Sequence, residues 1–92
     1  MTDSIRRSLK IVNEKGLHAR ASAKLVEVVE AHDATALVAK DGLDASGDSI
    51  MGLLMLAASR GTSIEVTTSG ADAQKLAQAI EALVADGFGE EF

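Results

Sequence analysis

The residues best suited to chemistry in this chain of 92 residues form the segment GLHAR at positions 16–20. An imidazole is often deprotonated near neutral pH, so the ring of His18 can act as a nitrogen nucleophile toward phosphorus. Arg20 carries a planar, permanently charged guanidinium, a shape that suits phosphate oxygens. The segment therefore favours reversible binding of a phosphoryl group. Residue type and position alone also allow a second interpretation, a solvated polar histidine at the start of a helix.

The elements around this segment determine how it could work. The turn NEKG at 13–16 precedes a stretch from 19 to about 31 in which apolar residues recur at helical spacing. His18 would then stand at the helix N-terminus, where free backbone N–H groups and the helix dipole favour negative charge. That assistance is worth only about 0.3–2 kcal/mol, which permits a reversible transfer. His32, near the other end of the same helix, is interpreted as structural.

A second helix is predicted over residues 50–59, with Ser49 as its N-cap. It is apolar nearly all round, so a domain of this size cannot bury every side of it. Exposed apolar residues would form a docking patch for protein partners, although periodicity equally allows all of them to be core. The residues concerned are Ile50, Met51, Leu54 and Met55. Capping is the default role of Ser49, and a phosphoryl group added there would gain the same stabilisation from the helix terminus.

The remaining pattern predicts a single α+β domain spanning residues 1–92. Alternating residues indicate strands at 8–12, 35–40, 43–46 and 62–68, and a last amphipathic helix starts after a cap at Ser69. Four strands covered on one face by helices are the natural solution for this order of elements. The glycine-containing, acidic end predicts a frayed, flexible tail at 87–92.

Composition excludes several classes of protein. The chain has no cysteine and only two histidines, so neither a disulfide framework nor a structural zinc site is expected, and no metal or cofactor is predicted. The formal charge of -5 argues against a nucleic-acid binder, although six cations and one anion between residues 6 and 24 leave that segment locally positive. The chain lacks an apolar run of membrane-spanning length and a signal peptide, so no membrane association and a cytoplasmic location are expected.

Taken together, GLHAR at 16–20 followed by SIMG at 49–52 resembles the histidine-containing phosphocarrier protein HPr of the bacterial phosphotransferase system. The resemblance covers nearly the whole chain, including the turn RGT at 60–62 and the segment SGAD at 69–72. It implies an open-faced β-sandwich, with an antiparallel four-stranded sheet in the order 1-4-2-3 and three helices on one face.

The resemblance also implies roles for individual residues. His18 would be phosphorylated on Nδ1 by enzyme I, with phosphoenolpyruvate as the ultimate donor, and Ala19 and Arg20 would bind the phosphoryl group. Enzyme IIA-type proteins would accept that group, which would make the protein a carrier rather than an enzyme. It would need no cofactor and would be a monomer. Ser49 would be the serine modified by an ATP-dependent HPr kinase/phosphorylase, a further candidate partner. The implied docking surface consists of Ile50, Met51 and Leu54.

Departures from the family pattern leave the pathway open. Ala21 stands where the family usually has proline, a variant that resembles HPr proteins of the nitrogen-related branch, and Asp48 precedes Ser49 where lysine is frequent. Regulation of nitrogen or carbon metabolism and sugar uptake are therefore both candidate purposes. The acidic Asp48 would raise the cost of a phosphoryl group on Ser49. Two other functions also fit the element order: a small-ligand-binding regulatory domain, and a regulatory homologue that docks without carrying phosphate, against which the presence of His18 argues.

Overall fold

The computed structural model describes residues 4–90, which form four strands, three α-helices and one 3₁₀ turn. In chain order they are β1 (Ser4–Lys10), α1 (Ala19–Glu30), β2 (Thr35–Lys40), β3 (Leu43–Ser46), α2 (Ile50–Met55), β4 (Ser63–Ser69), α3 (Ala73–Ala85) and the 3₁₀ turn Gly87–Gly89. The strands form one sheet in the order β1-β4-β2-β3, and every neighbouring pair is antiparallel. The predicted α+β class and the strand order 1-4-2-3 are confirmed.

The sheet has one buried face because apolar and polar residues alternate along its strands. In β4, Ile64 and Val66 are buried while Ser63 and Glu65 are exposed. The three helices cover the buried face, and a single hydrophobic core joins the strands to the helices through Leu25, Leu53, Leu76 and Ile80. The longest helix has 13 residues. Within residues 4–90, no helix combines the length and the apolar character needed to cross a membrane.

The helix α2 is shorter than the sequence pattern predicts. It ends at Met55 rather than at residue 59, because Ala57 adopts a left-handed backbone conformation with φ of 50° that no α-helix continues through. The last helix also starts later than predicted, at Ala73. Ser69, the predicted cap, is instead the final residue of β4. The first strand begins at Ser4 instead of Ser8, since Ile5 and Leu9 continue the inward-facing alternation across two arginines.

The C-terminal segment differs most from its prediction. Residues 87–90 are packed against the domain rather than frayed: Phe88 is fully buried and is the bulkiest side chain in the core. The Nζ of Lys24 donates a hydrogen bond to the carbonyl oxygen of Phe88 at 2.6 Å, which ties this segment to α1. The predicted tail also includes residues 91 and 92, which lie outside the described residues. Packing of one large aromatic side chain explains the difference, because burial of apolar area outweighs the flexibility of the two flanking glycines.

Candidate functional site

The turn before α1 fixes the backbone that carries His18. Gly16 has a φ of 65°, and a Cβ at this position would collide with the carbonyl oxygen of Ala58. The same carbonyl accepts a hydrogen bond from the backbone N–H of Leu17 at 2.9 Å. Glycine is therefore required both by the left-handed conformation and by the close approach of the loop that follows α2. This contact holds the turn at a fixed position relative to α2.

His18 is the N-cap of α1, as the sequence pattern predicts. Its backbone is extended, with φ of -77° and ψ of -175°, and its ring Nδ1 accepts a hydrogen bond from the backbone N–H of Arg20 at 3.3 Å. The side chain retains 25% of its accessible surface. Nδ1 thus faces the free N–H groups of the helix N-terminus, where negative charge is stabilised.

The other ring nitrogen of His18 contacts a carboxylate. Nε2 is hydrogen-bonded to Oε2 of Glu90, and the second oxygen of this carboxylate accepts a hydrogen bond from the amide nitrogen of Asn13 at 2.9 Å. Asn13 is fully buried, and its amide also donates to the carbonyl oxygen of Gly16 at 2.9 Å. Since both partners of the Asn13 amide nitrogen are acceptors, the orientation of that amide is fixed.

These contacts define the protonation of the site. The hydrogen bond from Asn13 lowers the pKa of Glu90 below its ordinary value of 4.5; partial burial opposes this, and the hydrogen bond to His18 and the charges of His18 and Lys15 lower it further. Near neutral pH Glu90 is therefore an anion that can only accept hydrogen bonds, so Nε2 of His18 must carry the proton. The N–H of Arg20 can only donate, so Nδ1 must present a lone pair. Both contacts select the same tautomer, with the proton on Nε2 and the lone pair on Nδ1.

A cleft of about 340 Å³ opens beside this histidine. Its lining is polar and includes three basic side chains, so it provides a local positive charge in an acidic protein. Arg20 is exposed to solvent, which leaves its guanidinium free to bind an anion. The residues that line the cleft are Glu14, Lys15, Arg20, Lys24, Gly89 and Glu90.

The other residues singled out by the sequence lie in two places. Ala19 is the exposed first residue of α1, next to His18. His32 is separate from the site, at the far end of α1, where its Nδ1 is hydrogen-bonded to the carbonyl oxygen of Val28 at 2.7 Å. The remaining predicted residues lie at and within α2, which packs against α1.

The structure separates the side chains of α2 into exposed and buried groups. Ser49 is its N-cap, with the hydroxyl oxygen accepting from the N–H of Gly52 at 3.1 Å. Leu53 is fully buried, Leu54 is half-buried, and the exposed side chains are Ile50 at 40%, Met51 at 70% and Met55 at 74%. These three exposed side chains and Leu54 form an apolar surface on a short helix, so the reading in which all of them are core residues is wrong.

Sequence reasoning missed the second half of the site. The sequence pattern predicts only a turn at Asn13 and a flexible tail at Glu90. The signal that could have found Glu90 is Phe88, a large apolar residue within an otherwise glycine-rich and acidic segment. A side chain of that size is rarely left exposed without function, and its burial fixes the carboxylate two residues later.

Comparison with known proteins gives consistent results. Residues 5–86 match the protein family described as PTS HPr component phosphorylation site. Phosphocarrier protein HPr of Neisseria meningitidis is 42% identical over 86 residues, which cover 94% of this chain and 97% of the relative. Phosphocarrier protein NPr of Escherichia coli is 35% identical over 89 residues, which cover 96% and 99%. HPr-C-His from Thermoanaerobacter tengcongensis has a solved structure with a TM-score of 0.90 at 31% identity, covering 96% of this chain and 99% of that one.

Proposed function

Since the chain belongs to the HPr family of phosphotransferase-system phosphocarriers, we propose that it carries a phosphoryl group on Nδ1 of His18, which it receives from enzyme I and passes to enzyme IIA-type proteins. The observation that carries this proposal is the position of Nδ1, a ring nitrogen at the N-terminus of α1 that accepts a hydrogen bond from the backbone N–H of Arg20 at 3.3 Å. A phosphoryl group bonded to Nδ1 would place its negative charge where the helix N-terminus and the Arg20 guanidinium both favour it.

The chemistry follows from this geometry. The lone pair of Nδ1 attacks phosphorus, the bond between phosphorus and the donor breaks, and the donor keeps that electron pair. The hydrogen bond that the Arg20 N–H now makes to Nδ1 becomes available to a phosphoryl oxygen once Nδ1 is bonded to phosphorus. Ala19, as the first helical residue, offers a further backbone N–H without an intrahelical partner. The reverse reaction delivers the group to the acceptor, so His18 stores it without consuming it.

The exposed apolar surface of α2 supports a docking role for this helix. Ile50, Met51 and Leu54 are proposed to contact enzyme I and the acceptor, because exposed flexible apolar side chains adapt to more than one partner. Replacing Met51, which is 70% exposed, with Glu is expected to weaken association with both partners while leaving the fold intact. Since relatives named HPr and NPr are both similar to this chain, acceptors of the sugar branch and of the nitrogen-related branch are both candidates.

Ser49 is proposed as a second phosphorylation site, one that regulates rather than transfers. Its hydroxyl caps α2, and a phosphate there would add charge at the edge of the apolar surface and disfavour docking. Asp48 lies directly before it and accepts a hydrogen bond from the Ser46 hydroxyl at 2.5 Å, so a phosphate on Ser49 would meet an acidic neighbour. Incubation with ATP and an HPr kinase/phosphorylase should label wild type and not Ser49→Ala; an unlabelled wild type would remove this role.

The carrier function is tested by incubating the protein with enzyme I and labelled phosphoenolpyruvate. We expect an acid-labile, alkali-stable label that is absent from His18→Ala and retained by the matched control His32→Ala. Acceptor proteins of the sugar branch and of the nitrogen-related branch are then added separately. The acceptor that removes the label from the protein identifies the pathway. A wild-type protein that stays unlabelled, or a label that persists in His18→Ala, would refute the assignment.

A further inference from the structure

The C-terminal strap, defined as residues 87–90, reaches the reactive histidine at Nε2, the ring nitrogen that does not face the N-terminus of α1. Phe88 anchors it in the core, and Lys24 holds it through a hydrogen bond of 2.6 Å to the Phe88 carbonyl oxygen. The strap ends with the Glu90 carboxylate bridging two groups, Nε2 of His18 and the amide nitrogen of Asn13. The carboxylate is thus held by two hydrogen bonds, and the Glu90 side chain is only 14% exposed.

We propose that Glu90 is a positioning residue for phosphoryl transfer: it holds the proton on Nε2 of His18 in both the free and the phosphorylated states, and so makes the phosphoryl group easier to pass on. This inference rests on the proposed function of His18 and assigns a role to a residue outside the helix-terminus motif.

In the free protein the effect of Glu90 is to select a tautomer. An acceptor fixed on Nε2 keeps the proton there and leaves the lone pair on Nδ1, the nitrogen that faces the helix N-terminus. Loss of the carboxylate would allow the ring to rotate or to carry the proton on Nδ1, and in either case fewer molecules would present a lone pair to phosphorus. The buried amide of Asn13 supports this arrangement because it fixes the other carboxylate oxygen.

In the phosphorylated protein the effect is on the leaving group. When Nδ1 bonds to phosphorus and Nε2 keeps its proton, the ring gains one positive charge. When the N–P bond breaks again, its electron pair returns to Nδ1 and the ring leaves as neutral imidazole. A ring that had lost the Nε2 proton would have to leave as an imidazolate anion, a far poorer leaving group. The anionic Glu90 faces this positive charge and therefore keeps the carrier in its reactive form.

Other charges around Glu90 act on it from several elements. Lys15 from the turn before α1 and Lys24 and Arg20 from α1 line the same cleft, together with the carboxylate of Glu14. Of these charges, that of Lys15 lowers the pKa of Glu90 and so favours the anionic form, which accepts hydrogen bonds. Near neutral pH Glu90 is therefore a carboxylate anion that accepts a hydrogen bond from Nε2 of His18.

The first test measures the ring itself, without phosphate or partner. Nitrogen-15 and proton spectra of the His18 ring should show a protected proton on Nε2 and an unprotonated Nδ1 in wild type. Glu90→Ala should lose the protected proton. Glu90→Gln should keep it, since an amide oxygen still accepts a hydrogen bond. Glu30→Gln, the same charge change at the far end of α1, should behave as wild type. A Glu90→Ala ring identical to that of wild type would overturn the proposal.

The second test measures the lability of the phosphoryl group, with phosphoramidate as a donor that needs no partner protein. Hydrolysis of the N–P bond should slow as pH rises and Nε2 loses its proton. We expect the midpoint of this profile to lie about one pH unit lower in Glu90→Gln than in wild type, equivalent to a tenfold change in the protonated fraction. Lys24→Met, which releases the strap and leaves Glu90 in the chain, should shift the midpoint in the same direction by less.

The outcomes separate this inference from the proposed function. Coincident hydrolysis profiles for wild type, Glu90→Gln and Glu30→Gln would show that the carboxylate has no influence on the phosphorylated ring, and His18 could still be the carrier residue. A wild-type protein that takes no label from enzyme I would remove the carrier function, yet the ring spectra would still decide whether Glu90 fixes the tautomer. Backbone spectra of each variant confirm that the fold is retained before either comparison is made.

Discussion

Phe88→Ala is expected to destabilise the whole domain, although the residue lies only four positions from the end of the chain. Its side chain has no exposed surface and is the largest of the fully buried side chains. Truncation of a buried phenylalanine to alanine costs about 3–5 kcal/mol through lost apolar burial and the cavity left behind. A domain is stable by only about 5–15 kcal/mol in total, so this one change removes a large share.

Urea and thermal unfolding followed by circular dichroism measure this effect. At about 4–8 °C per kcal/mol for a domain of this size, a loss of 3 kcal/mol lowers the Tm by at least about 12 °C. Met55→Ala is the matched control, since this side chain is 74% exposed and its loss should change stability by less than about 0.5 kcal/mol. If Phe88→Ala matched that control, the strap would be as frayed as the sequence pattern suggests, and Glu90 would have no fixed place beside His18.

Three further results are expected. Ala57→Gly should raise the free energy of unfolding by about 0.5–1 kcal/mol in urea titrations. Glycine removes the steric cost of a left-handed alanine at φ of 50°, and this gain exceeds the cost of the backbone entropy that glycine loses on folding. An unchanged free energy of unfolding would show that the loop carries no strain. Arg20→Ala should slow phosphoryl transfer about ten- to a hundredfold, the equivalent of a charge-assisted hydrogen bond of about 1.5–3 kcal/mol, with an unchanged Tm; a large fall in Tm would make Arg20 structural. The carboxyl carbon resonance of Glu90 should titrate below 4.5, and Asn13→Ala should raise that midpoint. Because the pKa of Glu90 is lowered in the folded state, its stabilising contribution is complete above about pH 4.5 and is lost as the pH falls through the lowered value; an unshifted midpoint would contradict the bridge to Asn13.

Much of the fold was predictable because its signals are local. The bounds of β2 and β3 agree with the sequence pattern, since the turn between them is Asp41-Gly42 and both residues take the positive φ that such a hairpin requires, 51° and 82°. The start of α1 at Ala19 agrees for the same reason, because a polar N-cap and apolar periodicity act within one turn of helix. The resemblance to the HPr family is confirmed, and it supplied the strand order that local signals do not contain.

The end of α2 was not predictable from its own residues. The sequence from 50 to 59 has no charged residue and no proline, and its one glycine, Gly52, lies in the first turn, so Gly61 offered the nearest stop signal. The helix ends at Met55 because Ala57 is forced into a left-handed conformation that brings the carbonyl oxygen of Ala58 to the N–H of Leu17. That contact joins residues 41 positions apart, so no window of sequence around the helix contains it.

The candidate site divides in the same way. The sequence by itself determined the helix-terminus half of the site, His18 as N-cap with Arg20 in the first turn, because capping depends on residues that are neighbours along the chain. Only the tertiary structure decided the other half. Glu90 meets His18 across 72 positions, and it does so because burial of Phe88 outweighs the flexibility that its two glycines would otherwise give the segment. Such a contact depends on where the core has room for an aromatic ring, which is a property of the packed domain and not of any segment of its chain.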